Sequence, residues 1–212
     1  MNLIKSACSD LWEFLKHPVD KKDTKLKDSY RLRQLAVLLF LDLLSMLILI
    51  SIISLIENAG IIDMSSHKAI ELLKNNPFLA IIAGVIMAPI FEEFIFRTFI
   101  VERYSPFKLL AFVIARLNIY QEEKINKKIS NLWHKNYKVV IYMSALIFGY
   151  VHITNYDINL NILIFSPLII APQFVIGLFL AYFRVRFGLI WAMLFHALHN
   201  LVLMLPVIFT LQ

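Results

Sequence analysis

The sequence predicts an all-α, polytopic transmembrane helical bundle with about five spans plus interfacial helices. Three observations carry that prediction. First, hydrophobic residues make up 59% of the 212 residues and charged residues only 17%, with a mean hydropathy of +0.71. Soluble globular domains run nearer 45–50% apolar. Second, the apolar residues fall in long blocks, several of which approach the roughly 20 residues a spanning helix needs. Third, Lys and Arg gather at the ends of those blocks, where lipid headgroups lie.

Residues 1–32 read as a cytosolic basic segment. Leu3, Ile4, Ala7, Leu11, Trp12 and Leu15 recur at helical spacing over 3–15. This predicts an amphipathic helix lying on the inner leaflet. The first thirty residues are polar and Lys-rich, with no apolar core near Met1, so no cleavable signal peptide is expected. Cys8 is the only cysteine, which excludes an intrachain disulfide and leaves a free thiol.

The bundle occupies 33–212. Its predicted spans are 33–56, 77–103, 138–154, 160–184 and 188–210, the third being short. A basic cytosolic segment at about 104–137 separates the second span from the third. Within it, 106–118 is too short to cross and contains Lys108 and Arg116, which suits an interfacial helix. The 119–137 stretch is polar and carries no evident chemistry. No internal repeat or low-complexity tract occurs.

The charge pattern sets an orientation. Lys and Arg crowd the N-terminal segment, the 103–138 segment and the turn at 184–187. With five spans these fall on one side, giving a cytosolic N-terminus and a C-terminus on the opposite side. The net charge of +6 therefore meets anionic lipid headgroups, and nucleic acid is not an expected partner.

Ionisable groups in hydrocarbon are functional candidates, because each costs several kcal/mol (roughly) unless paired or hydrated. The densest group is Glu92-Glu93 followed by Arg97 in the second span. Glu93 and Arg97 are four apart on one helix face and can neutralise each other. Glu92, about 100° round the helix, lacks a local partner and suits a general base. Pro89 removes a backbone hydrogen bond nearby, so a kink and water access near Glu92 are expected. A helix-packing ion cluster is the alternative, but two carboxylates with one Arg leave an excess charge. Phe148 and His152 share a face of the third span, as His196 and Asn200 do in the last. A rise of about 1.5 Å per residue puts Glu92 roughly 18 Å from Tyr104, His152 roughly 21 Å from Lys138 and His196 roughly 14 Å from Phe187. The carboxylate and both imidazoles thus reach similar depths. Asp42 is isolated in the first span and is expected to face the bundle or a water pocket. His199 and Gln173 read as cavity lining. His17, His67 and His134 lie in polar segments and are expected to be solvated.

These residues resemble the motifs of the type II CAAX prenyl endopeptidase family of intramembrane proteases, also known as the CPBP or Abi family. E-E-x-x-x-R is matched by Glu92, Glu93 and Arg97, F-x-x-x-H by Phe148 and His152, and H-x-x-x-N by His196 and Asn200. All three occur in family order on apolar helices, and the resemblance covers about residues 77–205. It implies peptide-bond hydrolysis in the membrane. Glu92 and His152 would activate water, His196 and Asn200 would hold the oxyanion, and Glu93 and Arg97 would orient and neutralise. The sequence departs from the pattern at Thr98, where Gly is common, and in the long stretch from Arg97 to His152, where 119–137 reads as an insertion.

A metal-free site is expected, because no H-E-x-x-H helix occurs. Were zinc used, Glu92, His152 and His196 would be its ligands. The expected partner is a peptide or membrane-anchored protein substrate, and the expected location a bacterial plasma membrane. Two other function classes compete. A non-catalytic protein binding a bacteriocin or peptide partner, as in self-immunity, would tolerate loss of Glu92. A small transporter would suit Glu and His in spans, but no paired interrupted segments support it.

Overall fold

The computed structural model describes residues 3–24, 26–64, 67–116 and 122–210, and no strand occurs among them. Four helical stretches are long and apolar enough to cross a membrane: Asp28–Asn58, Pro77–Arg97, Tyr137–Asn155 and Leu189–Val207. Helix α1 (Leu3–Lys16) precedes the first of these, α2 (Asp28–Asn58). Helix α3 (Lys68–Asn75) leads into the second, in which α4 (Pro77–Ile81) and α5 (Ala88–Arg97) are joined by a π-helical turn at Ile82–Met87. Helices α6 (Pro106–Arg116) and α7 (Glu122–Lys135) lie between the second stretch and α8 (Tyr137–Val151). Short helices α9 (Leu160–Ile164) and α10 (Ser166–Ile169) precede α11 (Ala171–Arg186), and α12 (Leu189–Thr210) follows.

The predicted span at 160–184 is corrected by this division. Pro167 and Pro172 sit in the first turns of α10 and α11. Neither has an N–H to continue the preceding helix, but each is well suited to begin a new one. The 16 residues of α11 rise about 24 Å, less than a typical hydrocarbon core.

Its shortness is explained by its surroundings. Ile176, Gly177, Phe179, Leu180, Ala181, Tyr182, Phe183 and Val185 are all buried, and a helix apolar on every side is an interior helix. It packs most extensively on α8, then on α12 and α2. Phe195 of α12 stacks on Phe183 at 4.6 Å and on Phe179 at 5.9 Å. Glycines let the backbones approach. A Cβ on Gly177 would stand 3.1 Å from Ala145 of α8, and one on Gly149 would meet the Ile170 carbonyl at 3.3 Å.

The amphipathic helix predicted on the inner leaflet has a partner in the protein itself. Ala7, Leu11 and Phe14 of α1 belong to the main core, while Ile4 and Trp12 face outward. The Phe14 ring meets Tyr182 edge-on at 5.5 Å, and Tyr142 donates to the Leu15 carbonyl at 3.1 Å. The polar stretch that read as featureless holds the amphipathic α7, whose Trp133 is buried and donates to Asp20 at 3.2 Å. Residues 117–121 lie outside the described residues.

The second predicted span is also shorter than expected, ending at Arg97 instead of about 103. Side chains take the carbonyls that a continuing helix would use. Ser144 Oγ donates to the Phe96 carbonyl at 3.0 Å, and Arg184 Nε to the Arg97 carbonyl at 2.8 Å.

Gly177→Val is expected to destabilise the protein by about 1–3 kcal/mol, because added methyls overpack a joint with no slack. A lowered midpoint of thermal unfolding in detergent is the measurement that checks it.

Candidate active site

The site begins with an arginine in the interior. Arg97 has no exposed surface, and neither has Glu93 one turn before it. Their charged groups are 3.6 Å apart (Nε to Oε2). Arg97 also donates to Ser144 Oγ at 2.8 Å and lies over the Phe148 ring, 4.8 Å from its centre. A buried charge needs such company, since removing it from water without partners costs several kcal/mol, roughly.

Glu93 has a second role. Its Oε1 lies 3.2 Å from His196 Nδ1. A carboxylate accepts, so Nδ1 carries the proton, and the ring turns Nε2 away from Glu93. That Nε2 lies 3.7 Å from Glu92 Oε2. His152 is held in the same way from another helix. Its Nδ1 donates to the Phe148 carbonyl at 2.7 Å, and its Nε2 lies 3.8 Å from the same Glu92 oxygen. Two imidazoles therefore present Nε2 to one carboxylate oxygen, which is itself buried and has no hydrogen-bond partner.

Asn200 is positioned by the backbone break around Pro89. In the π-helical turn the Ala88 N–H bonds the Ala83 carbonyl. The Gly84 carbonyl would then bond residue 89, but Pro89 has no N–H. Asn200 Nδ2 donates to this freed carbonyl at 2.7 Å. The rest of the amide keeps one N–H and its oxygen. Gly84 also makes room for the end of the Met204 side chain of α12, since a Cβ there would meet its Sδ at 2.9 Å.

A cavity of about 500 Å³ lies between α3, the second span, α8, α11 and α12. Glu92, His152, His196 and Asn200 line it. Glu93 and Arg97 lie behind its wall, where they hold His196 and α8. The structure thus brings together all six residues singled out from the sequence. Equal depth is not the reason, because Glu92 is only five residues from the end of its shortened helix. The helices begin at different levels, so counting from their ends misplaces the groups.

Four further polar residues, His67, Asn155, Gln173 and His199, line this cavity. Gln173 lines it, as its sequence context suggested. Asp42, which looked isolated, is wholly buried and pairs with His199 Nδ1 at 2.5 Å. His67 corrects the solvated expectation. Half-buried at the start of α3, it lines the cavity and packs edge-on against Tyr156 at 4.8 Å. Desolvation holds its imidazole below its ordinary titration range, assisted by the nearby His152 and opposed by its own backbone hydrogen bond. Only the placement of α3 against the cavity puts it there, and no local pattern signals that placement. His134 does lie at the surface, against Glu102 at 3.3 Å, and His17 is exposed.

No group of three or more His, Cys, Asp and Glu among the described residues is arranged to hold a metal ion. Glu92, His152 and His196 are the donors nearest to that description, and Glu92 faces both rings through a single oxygen.

Glu93→Gln is expected to lower stability by about 3 kcal/mol or more, because it leaves the Arg97 charge buried without its carboxylate. Glu92→Gln, at a partly open position, is expected to change it by under about 1 kcal/mol. Thermal unfolding of both variants in detergent checks this, and Glu93→Gln combined with Arg97→Met is expected to recover part of the loss.

No curated protein and no solved structure matches the chain. Residues 74–202 match the family described as type II CAAX prenyl endopeptidase Rce1-like. The matched segment runs from the end of α3 to α12 and contains every residue of the Glu92 cluster. It spans more than half of the chain, which therefore belongs to the Rce1-like family of type II CAAX prenyl endopeptidases.

Proposed function

We propose that this protein is an intramembrane endopeptidase that hydrolyses a peptide bond near the membrane with water activated by Glu92 and His152. The observation that carries the reading is the buried, unpartnered Glu92 Oε2 with an imidazole Nε2 on either side at 3.7 and 3.8 Å. These gaps exceed a direct hydrogen bond and suit a bridging water.

In this mechanism Glu92 removes a proton from that water while His152 Nε2 orients it. The tautomer supports the role, since the Phe148 carbonyl holds the His152 proton on Nδ1 and leaves the Nε2 lone pair towards the reacting oxygen. The water oxygen attacks the peptide carbonyl carbon. The resulting oxyanion takes hydrogen bonds from His196 Nε2 and from the N–H of Asn200 not spent on Gly84. Because His196 Nδ1–H already serves Glu93, a donor at Nε2 makes that ring an imidazolium. The cluster then balances, Glu92 and Glu93 against Arg97 and His196. Held by Gly84, Asn200 is fixed before substrate arrives, as preorganised stabilisation requires.

No step calls on a metal. The substrate is a peptide or a membrane-anchored protein, for which a cavity of about 500 Å³ holds a few residues of extended chain. The basic N-terminal segment and the turn before α12 support a cytosolic N-terminus, and α11, though short, ends beside the end of the second span, where Arg184 meets the Arg97 carbonyl, so that α12 ends on the opposite side.

Mass spectrometry of membrane-associated peptides tests this, comparing cells that make the wild-type protein with cells that make Glu92→Gln at matched abundance. New peptide termini that depend on Glu92 are expected, with cleavage falling at least 100-fold (roughly) in the variant. A phenotype that persists without any Glu92-dependent terminus would instead identify a peptide-binding protein. Cleavage by the purified protein is expected to survive zinc chelation, and its loss on chelation with recovery on added zinc would overturn the metal-free mechanism.

A further inference from the structure

One pair of ionisable groups, of which the imidazole lines the cavity, is not used by this mechanism. Asp42, in the middle of α2, has no exposed surface, and His199, on α12, has very little. Their hydrogen bond joins Nδ1 to Oδ2 across 157 positions of sequence. Asp42 Oδ1 is buried without a hydrogen-bond partner. A carboxylate buried in a spanning helix is costly and usually marks function. As a helix tie alone it would be a poor choice, since apolar side chains of similar size hold helices together at least as well.

The imidazole is where such a pair meets substrate. His199 lines the same cavity as Glu92, next to Asn200 and three residues beyond His196 on the cavity face of α12. Its Nδ1 faces a carboxylate and so carries a proton, which leaves Nε2 as the nitrogen free for chemistry. The arrangement parallels that of His196 on Glu93, with Asp42 orienting the ring from a different helix.

Peptide hydrolysis by Glu92 needs such a group. Attack by water forms the C–O bond and leaves the water's proton on Glu92. When the C–N bond breaks, its electron pair goes to nitrogen, and an amine departs only if that nitrogen receives a proton. Both rings facing Glu92 already have roles on the water and the oxyanion. Resting on the proteolytic reading above, we infer that His199, protonated on both ring nitrogens and oriented by the Asp42 carboxylate, donates its Nε2 proton to the departing amine. His199 is left neutral. The proton on Glu92 returns to it through cavity water, which resets both groups.

Leaving-group dependence tests the inference, because a proton donor matters only to a group that needs a proton. The probes are the peptide spanning the Glu92-dependent cut and a second molecule with the same acyl segment on a phenyl ester, whose phenolate departs unprotonated. His199→Gln is expected to lower kcat/KM for the peptide about 100-fold or more while changing that for the ester less than about fivefold. Asp42→Asn keeps the ring in place and is expected to show the same split with a smaller loss. It also serves should His199→Gln fail to fold, and retained ester hydrolysis certifies a folded site. Equal losses on both probes, or no loss on either, with Glu92→Gln inactive on both, would assign the pair a structural role and overturn the inference alone. Unchanged peptide cleavage in Glu92→Gln would overturn the proteolytic reading itself.

Discussion

The burial of one guanidinium governs the arrangement of this protein. Arg97 has no contact with solvent, so the structure around it must supply what water would have supplied. Glu93 provides a charge, Ser144 a hydroxyl and Phe148 the face of a ring. Gly177 provides room, since even a Cβ there would come within 3.3 Å of the guanidinium. These groups come from α5, α8 and α11, and accommodating one cation therefore fixes three helices relative to one another. The consequences reach the cavity directly. Glu93 cannot face Arg97 without also offering an oxygen to His196, and Phe148 cannot lie under Arg97 without bringing His152 after it.

A second constraint works through the backbone. Pro89 cannot donate a hydrogen bond, and the turn before it opens into a π-helix. The carbonyl this frees, at Gly84, is the one that holds Asn200. A local break in one helix thus becomes an anchor for a side chain on another. Such breaks are tolerated at membrane depth where a neighbour satisfies the exposed group. The two constraints are complementary: Arg97 fixes the charged side of the cavity, and Pro89 fixes its amide side.

Much of this was legible in the sequence because it rests on local spacing. The pairing of Glu93 with Arg97 is an i, i+4 relation, and so are Phe148 with His152 and His196 with Asn200. Long apolar runs gave the main helices. What was not legible depends on distance or on counting from helix ends. Asp42 and His199 are far apart in the chain, and neither has a spacing signal pointing to the other. His67 sits in a polar stretch and reaches the cavity only because α3 is placed against it. The early end of the second span was hidden because Phe99, Ile100 and Val101 continue its apolar character, while its stopping point is set by Ser144 and Arg184 taking its last carbonyls. The division of 160–184 did have a signal, in Pro167 and Pro172, but an unbroken apolar run outweighed it.

The burial of α11 has a consequence for how the protein is made. A 16-residue helix surrounded by protein on every side gains little by entering lipid alone, and its stability comes from α8, α2 and α12. Only the short turn at Phe187–Gly188 separates it from α12, so the two are suited to enter the bilayer as a hairpin. Since α12 carries His196 and Asn200, every earlier helix can be in place while the cavity still lacks half of its polar wall. Assembly order would then act as a safeguard: the nascent chain passes through the insertion machinery, among other exposed polypeptides, before it has the means to cut them.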